Sequence, residues 1–387
     1  MRYYTDFKKN IHPALFGVLI SVFLIGLPIF QCSAQPLLID DKPAMDSMRK
    51  AVDLVYNFQF EKAENVVKKM KLKYGNHPSY ILFHCISSFY RLFPIGSKPR
   101  EYSPYIKNLH NLVRISETMS DKSPKNVAEL DYYNMTGNLM LARHQSEDGE
   151  YIKAVNSTRK AFTFIKRGFE WKTTYPDFYF STGMYNYFRV AFPENHPFYK
   201  SFTIFFPEGN KALGLKDLEI ASQKSIFSKA ESTVFLSAIY LRDEYNIPMA
   251  LKFASILHEN YPLNWLFSII YAECLIESKK PDLADPIIEK LLMRTESASL
   301  LGGYYLKGLY ERQHGNIDAA KWSFQKALNY GKTKDRLTKG YLGLCYNELG
   351  KIAHEEGKRN WAKKYFGYAL DNCTFKKVKN DAKASGF

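Results

Sequence analysis

Residues 238–257, AIYLRDEYNIPMALKFASIL, are followed 34 positions later by residues 272–291, AECLIESKKPDLADPIIEKL. The two segments share the residue type at four equivalent positions: Ala238 and Ala272, Leu241 and Leu275, Ala250 and Ala284, and Leu257 and Leu291. Small residues that return in phase with bulky apolar ones are typical of a helical hairpin followed by a copy of itself. This stretch therefore predicts two consecutive pairs of antiparallel helices.

A related series of small residues occurs elsewhere in the chain with spacings of 7, 5 and 7 positions. It appears at Ala142, Gly149, Ala154 and Ala161, again at Gly308, Gly315, Ala320 and Ala327, and again at Gly350, Gly357, Ala362 and Ala369. The last two series are offset by 42 residues rather than 34. We expect the additional residues to lengthen helices rather than to form a new element.

Together with an aromatic residue four positions after the third member, this series resembles the tetratricopeptide repeat. The best matches are Gly308, Gly315, Ala320, Phe324 and Ala327, and also Ala250, Leu257 and Pro262. The resemblance extends over most of the chain and implies an all-α, right-handed superhelical solenoid of antiparallel helix pairs. Independently of the family, small residues allow two helices to approach closely, and each hairpin buries its apolar stripe by stacking on its neighbours.

The first 34 residues have the pattern of a secretory signal peptide. Arg2, Lys8 and Lys9 precede an apolar run over 14–30, and the small residues Ser33 and Ala34 end the segment. The run is shorter than the ~20 residues of a permanent membrane span. We interpret residues 1–34 as a cleaved signal, with an uncleaved N-terminal anchor as the alternative, and no membrane span after cleavage. The protein is then exported and periplasmic or associated with the envelope.

The remaining chain divides into four regions by pattern. Residues 35–170 and 214–372 are predicted to form N-terminal helical hairpins and a C-terminal repeat array, and 373–387 a basic tail. In 171–213 the repeat pattern lapses, and 14 of the 36 residues from 171 to 206 are aromatic. We expect a helix over 176–191 followed by an inserted loop. This aromatic insert, with Tyr187, Phe188, Phe198 and Tyr199 as its candidate binding residues, either forms a lid or ligand wall over the groove or completes the core, which we favour.

The formal net charge of +15 becomes +13 when 1–34 are removed, because that segment carries three basic residues and Asp6. Such a charge favours an acidic surface or glycan as partner, although a lysine-rich helical surface also serves solubility. Nucleic acid is an unexpected partner for an exported protein.

We find no motif for catalysis, a cofactor or a metal ion, and we interpret the chain as a non-enzyme. The cysteines outside the signal, Cys85, Cys274, Cys345 and Cys373, contain no C-x-x-C pair. They are expected to be buried thiols, with a Cys345–Cys373 disulfide in the last hairpin as an alternative for an oxidising compartment.

The resemblance implies a concave groove lined by the first helix of each pair. The corresponding inward positions are Leu139, Arg143, Ile239, Arg242, Tyr305, Leu309, Arg312, Asn347, Lys351 and His354. Arginine, amide and ring side chains suit the carboxylates and backbone of an extended peptide. We therefore expect a scaffold or adaptor that binds a peptide or protein partner in an envelope assembly. The alternative is a carbohydrate-binding outer-membrane-associated protein that uses the aromatic insert.

Overall fold

Among the residues that the structure describes, six helical hairpins turn at a residue in the left-handed backbone conformation, five positions before the small residue of the second helix. In three of them this residue is glycine, with φ of +79° at Gly149 and Gly315 and +71° at Gly357. The other three have φ of +56°, +54° and +62° at Phe58, Tyr245 and Lys279. A left-handed residue ends one helix and redirects the chain into the next. The repeat is therefore present in the backbone even where the turn glycine is absent from the sequence.

The computed structural model describes residues 37–93, 100–123, 127–195, 207–332, 335–373 and 375–387. Within these ranges we find 18 α-helices and no strand. The first nine are α1 (Lys42–Tyr56), α2 (Phe60–Lys68), α3 (Lys71–Tyr74), α4 (Pro78–Leu92), α5 (Tyr102–Asp121), α6 (Ala128–Glu147), α7 (Tyr151–Trp171), α8 (Phe178–Asn195) and α9 (Lys211–Lys224). The others are α10 (Lys229–Arg242), α11 (Ile247–Asn260), α12 (Trp265–Glu277), α13 (Pro281–Leu292), α14 (Ser297–Gln313), α15 (Ile317–Tyr330), α16 (Arg336–Glu355), α17 (Arg359–Asn372) and α18 (Lys376–Ala384).

The helices pack mainly against their neighbours in sequence, as consecutive pairs. The most extensive contacts join α6 to α7, α14 to α15, α16 to α17 and α8 to α9. All the helices lie within one compact unit, residues 38–387. The predicted all-α architecture of stacked helix pairs is confirmed.

The small residues of the series lie where paired helices meet. A Cβ atom at Gly308 of α14 would lie 2.5 Å from the ring of Phe324 in α15, and a Cβ at Gly350 would lie 3.1 Å from the ring of Phe366. Ala320, like the other alanines of the last two series, is fully buried. Close approach of two helices at these positions leaves room for a hydrogen atom or one methyl group.

The additional residues between the last two hairpins do lengthen a helix. The first helices α12, α14 and α16 contain 13, 17 and 20 residues, whereas the second helices α15 and α17 contain 14 each. This expectation is confirmed.

The first hairpin also packs against helices that lie about half the chain further along the sequence. The hydroxyl of Tyr56 in α1 donates to the carbonyl of Phe227 at 2.8 Å, and its own carbonyl accepts from Asn264 Nδ2 at 2.7 Å. The hydroxyl of Tyr261 donates to Asp53 at 2.7 Å. These contacts bring the N-terminal hairpin against the starts of α10 and α12, so the array curves back on itself.

The aromatic region contributes an ordinary helix pair. The helix expected over 176–191 is α8, which packs against α9 through two glycines: a Cβ at Gly183 would lie 2.9 Å from the carbonyl oxygen of Gly214. The predicted loop lies largely outside the described residues, as do Phe198 and Tyr199.

The four described cysteines, Cys85, Cys274, Cys345 and Cys373, are free and buried. Cys345 and Cys373 are therefore not joined by the disulfide considered as an alternative. In the part of the chain that the structure describes, no helix has the length and apolar character needed to cross a membrane.

Candidate functional site

Buried charged and hydroxyl groups join the first helices α10, α12 and α14. Arg242 Nη2 lies 2.6 Å from Glu273 Oε2, and the Tyr305 hydroxyl donates to Glu273 Oε1 at 3.0 Å. The side chains of Arg242 and Glu273 are only 11% and 4% exposed. Ionised hydrogen-bonding groups in such a position interact more strongly than exposed pairs. This chain of contacts holds three neighbouring first helices together.

A second charged group continues onto α16. Glu348 accepts from Lys351 Nζ at 2.9 Å and pairs with Arg312 of α14, which also pairs with Glu355. Burial alone would raise the pKa of Glu348, but Lys351, Arg312 and Lys377 together lower it, so that this carboxyl remains ionised. We call the surface that carries Arg242, Glu273, Tyr305, Arg312 and Glu348 the first-helix face.

Helix α18 packs against α16, whose inward side chains belong to the first-helix face. Asn347 Nδ2 in α16 donates to Asp381 Oδ2 at 2.7 Å. Val378 and Ala382 are buried on α18, and Ala382 packs with Ala353 and Phe366. Both polar and apolar side chains of α18 therefore contact the last hairpin.

The same helix reaches the end of α10. Asn380 Nδ2 donates to the Tyr245 hydroxyl at 2.9 Å, and Lys376 Nζ lies 3.5 Å from the carbonyl oxygen of Asp243. Just before α18, the ring centroid of Phe375 lies 4.6 Å from the guanidinium carbon of Arg242. The region expected to be a basic tail is thus a helix that contacts α16, α17 and the residues that follow α10.

Lys377 is the charged centre of this contact, with 23% of its side chain exposed. Burial alone would lower the pKa of its ammonium group, but the carboxylates of Glu277, Glu348, Asp381 and Glu273 outweigh this effect and raise it. The Asp381 carboxylate lies 3.8 Å away on α18 itself, and the other three belong to α12 and α16. The array therefore offers a lysine an acidic environment.

The residues predicted to line the C-terminal part of a groove lie on or beneath the first-helix face. Ile239, Tyr305, Leu309 and Asn347 are 1%, 1%, 6% and 0% exposed, and Arg242, Arg312 and Lys351 are engaged in the ion pairs described above. Of these C-terminal positions, His354 is exposed, with its ring 6.4 Å from that of Phe387. Close stacking of the first helices buries side chains that a wider superhelix would expose.

Leu139 and Arg143 lie on α6, separate from the group that contacts α18. Leu139 is 37% exposed. The Arg143 guanidinium carbon lies 4.9 Å from the ring centroid of Phe89, and its Nε lies 3.1 Å from Glu147. These two residues remain a predicted part of a binding surface in the N-terminal half.

Within the aromatic region, Tyr187 is fully buried and its hydroxyl donates to Glu244 at 2.5 Å. Phe188 is partly buried and lies edge-to-face with Tyr187, the ring centroids 5.1 Å apart. These two rings contribute to the core around α8.

A partly buried acid near the start of α10, Glu231, contacts α1 and α4. The carboxylate of Glu231 in α10 accepts from the Tyr56 hydroxyl, and Tyr90 of α4 also interacts with it. Burial raises the pKa of Glu231 to about 7, and the nearby Asp177 carboxylate adds to this effect. The described residues contain no group of three or more His, Cys, Asp or Glu side chains placed to hold a metal ion.

The sequence patterns did not predict the acidic partners Glu273 and Glu348, and they did not predict helix α18. Apolar residues follow one another at intervals of three and four positions, at Phe375, Val378 and Ala382. This spacing favours one apolar helical face. This signal could have identified α18, but four lysines in nine residues made the segment look like a solvated tail.

Comparison with known protein families finds no family model that matches the chain, and comparison with curated proteins finds no match either.

Proposed function

We propose that the protein is a non-catalytic scaffold of tetratricopeptide type that binds a helical segment of a partner protein on its first-helix face. The observation that carries this proposal is a short helix, α18, that packs beside that face against Asn347 of α16 and against Asp243 and Tyr245, which directly follow α10. A surface that holds one amphipathic helix has the shape and polar groups to hold another.

We further propose that the protein is exported and acts in the cell envelope, with residues 1–34 as its signal. The apolar run and the small residues that end it support this location. The positive net charge supports an acidic partner surface elsewhere on the molecule, whereas the first-helix face carries the acids Glu273 and Glu348.

The test is site-specific photo-crosslinking in the native host. A photoreactive amino acid replaces His354, which is exposed near α18, and in a control protein it replaces Leu283, which is 61% exposed on the second helix α13. We expect a crosslinked partner of defined mass from position 354 and none from position 283. Peptide mapping of the adduct identifies the bound segment.

Adducts at position 354 that contain only this chain's own C-terminal residues would contradict the proposal. The same set of adducts at both positions would also contradict it, because it would indicate collisional labelling rather than a binding site.

A further inference from the structure

The C-terminal helix has few anchors for an element of a folded core. It contains nine residues, of which Val378 and Ala382 are buried, whereas α14 buries nine of its 17 residues. An isolated helix of this length is not stable in water, so its structure depends on the array. Elements with few buried apolar contacts open at low free energy. We therefore expect that α18 can detach while the other helices of the array stay folded.

The contacts of α18 form a chemical pattern that begins at Phe375. A lysine follows two positions later at Lys377, an apolar residue three positions later at Val378, an aspartate six positions later at Asp381 and a small residue seven positions later at Ala382. Phe375, Val378, Asp381 and Ala382 contact the array, and Lys377 lies in the electrostatic field of its carboxylates. The helix Lys376–Ala384 has four lysines and one aspartate, a net charge of +3.

Charge complementarity favours a lysine at the position of Lys377. The carboxylates of Glu273, Glu277 and Glu348 all act on Lys377. Glu273 and Glu348 are also paired with Arg242 and Arg312, so the preference concerns this one position, where an acid in place of the lysine would meet like charges.

We infer that α18 is an internal ligand that competes with the partner, and that the partner segment is a basic amphipathic helix of the same pattern. This inference rests on the proposed function and adds to it the class of the ligand and the means of regulation. The fraction of molecules in which α18 is displaced sets the apparent affinity for the partner. Weakening α18 within the chain therefore strengthens binding of an external helix.

The test compares two charge reversals on α18 in the full chain. Lys377→Glu places an acid among the carboxylates of the array, and the control Lys383→Glu makes the same change at an exposed position of the same helix. A fluorescent peptide with the natural sequence of residues 374–387 is the probe, and its binding is measured by fluorescence anisotropy. Hydrogen exchange of 376–384 and of α10–α17 is measured on the same proteins.

We expect the peptide to bind the Lys377→Glu protein at least about tenfold more tightly than the natural or the Lys383→Glu protein. Amides of 376–384 should exchange faster in Lys377→Glu alone, while those of α10–α17 are unchanged. Adding Glu277→Gln to Lys377→Glu removes an acid from the array without altering α18, and it should weaken peptide binding by about threefold to tenfold.

The inference is overturned if α10–α17 exchange faster together with α18, because α18 is then a structural cap. Equal peptide affinity for all variants also overturns the inference that α18 competes with the partner. The proposed function would still stand if a partner were crosslinked at position 354. An α18-dependent dimer in light scattering would identify a second copy as the occupant and refute the assignment to a partner. If Lys377→Glu fails to fold, Tyr245→Phe weakens the same helix through its bond to Asn380 and takes its place.

Discussion

Substitution of Gly308 by alanine tests whether close helix approach stabilises the hairpin α14–α15. The added methyl carbon would lie 2.5 Å from Cε1, 2.6 Å from Cδ1 and 2.8 Å from Cζ of Phe324. The ring of Phe324 is fully buried and packs against Tyr305, the ring centroids 6.3 Å apart. It therefore cannot move aside without disturbing the core.

Two effects of opposite sign decide the magnitude. Overpacking of a buried site costs about 1–3 kcal/mol, and the severe overlap at Gly308 places it near the upper end. Alanine in place of glycine in a helix interior stabilises by about 1 kcal/mol. We expect Gly308→Ala to lower the free energy of unfolding by about 1–2 kcal/mol, measured by urea denaturation with circular dichroism detection.

Gly350→Ala is the matched control, because Gly350 occupies the same position one hairpin later. Its added methyl would lie 3.1 Å from Cδ1 and Cε1 of Phe366, so a shift of a few tenths of an ångström relieves the contact. We expect the free energy of unfolding to change by less than about 0.5 kcal/mol, because overlap and helix propensity nearly cancel. If Gly308→Ala were as stable as the natural protein, or Gly350→Ala were the less stable of the two, the packing argument would be wrong.

Three further predictions concern the turns and the buried acids. Lys279→Gly should raise the free energy of unfolding by about 1 kcal/mol in urea, because glycine adopts φ of +62° without the penalty for a side chain; a decrease would contradict this. Asp177→Ala should lower it by about 3 kcal/mol, since the carboxylate accepts the backbone N–H groups of residues 226–228 at 2.8–3.0 Å, whereas Asp318→Ala, at a side chain 97% exposed, should change it little. For Glu231, the pKa is about 7 in the folded protein and 4.5 ordinarily, so the folded state binds more protons between these values and stability falls as pH rises from 4.5 to 7. Glu231→Gln should remove this fall, and identical pH dependence of urea unfolding in both proteins would refute it.

The helix pairs were predictable because their signals are local. A glycine at position 315 or 357, followed by an alanine five positions later, specifies a turn and a close helix contact within about twenty residues. The turns at Tyr245 and Lys279 could be located only by analogy, since neither residue type favours positive φ. Packing of the flanking helices imposes the left-handed conformation there.

The candidate site was predicted less completely, because its contacts join residues far apart in sequence. Arg242 and Lys351 were selected from the sequence, but their partners Glu273 and Glu348 were not. Periodicity indicates which face of a helix is turned inward and not how closely the next helix approaches. Whether an inward arginine meets solvent or a carboxylate depends on that distance.

The sequence by itself determines that this chain forms stacked helix pairs, since periodic small and apolar residues act over one or two turns of helix. The tertiary structure alone decides that Phe375–Ala384 folds onto α10 and α16, because the contacts of Asn380 with Tyr245 and of Lys376 with Asp243 span more than 130 residues. Such contacts form only after the curvature of the array has brought the end of α10 and the middle of α16 within reach of one short helix.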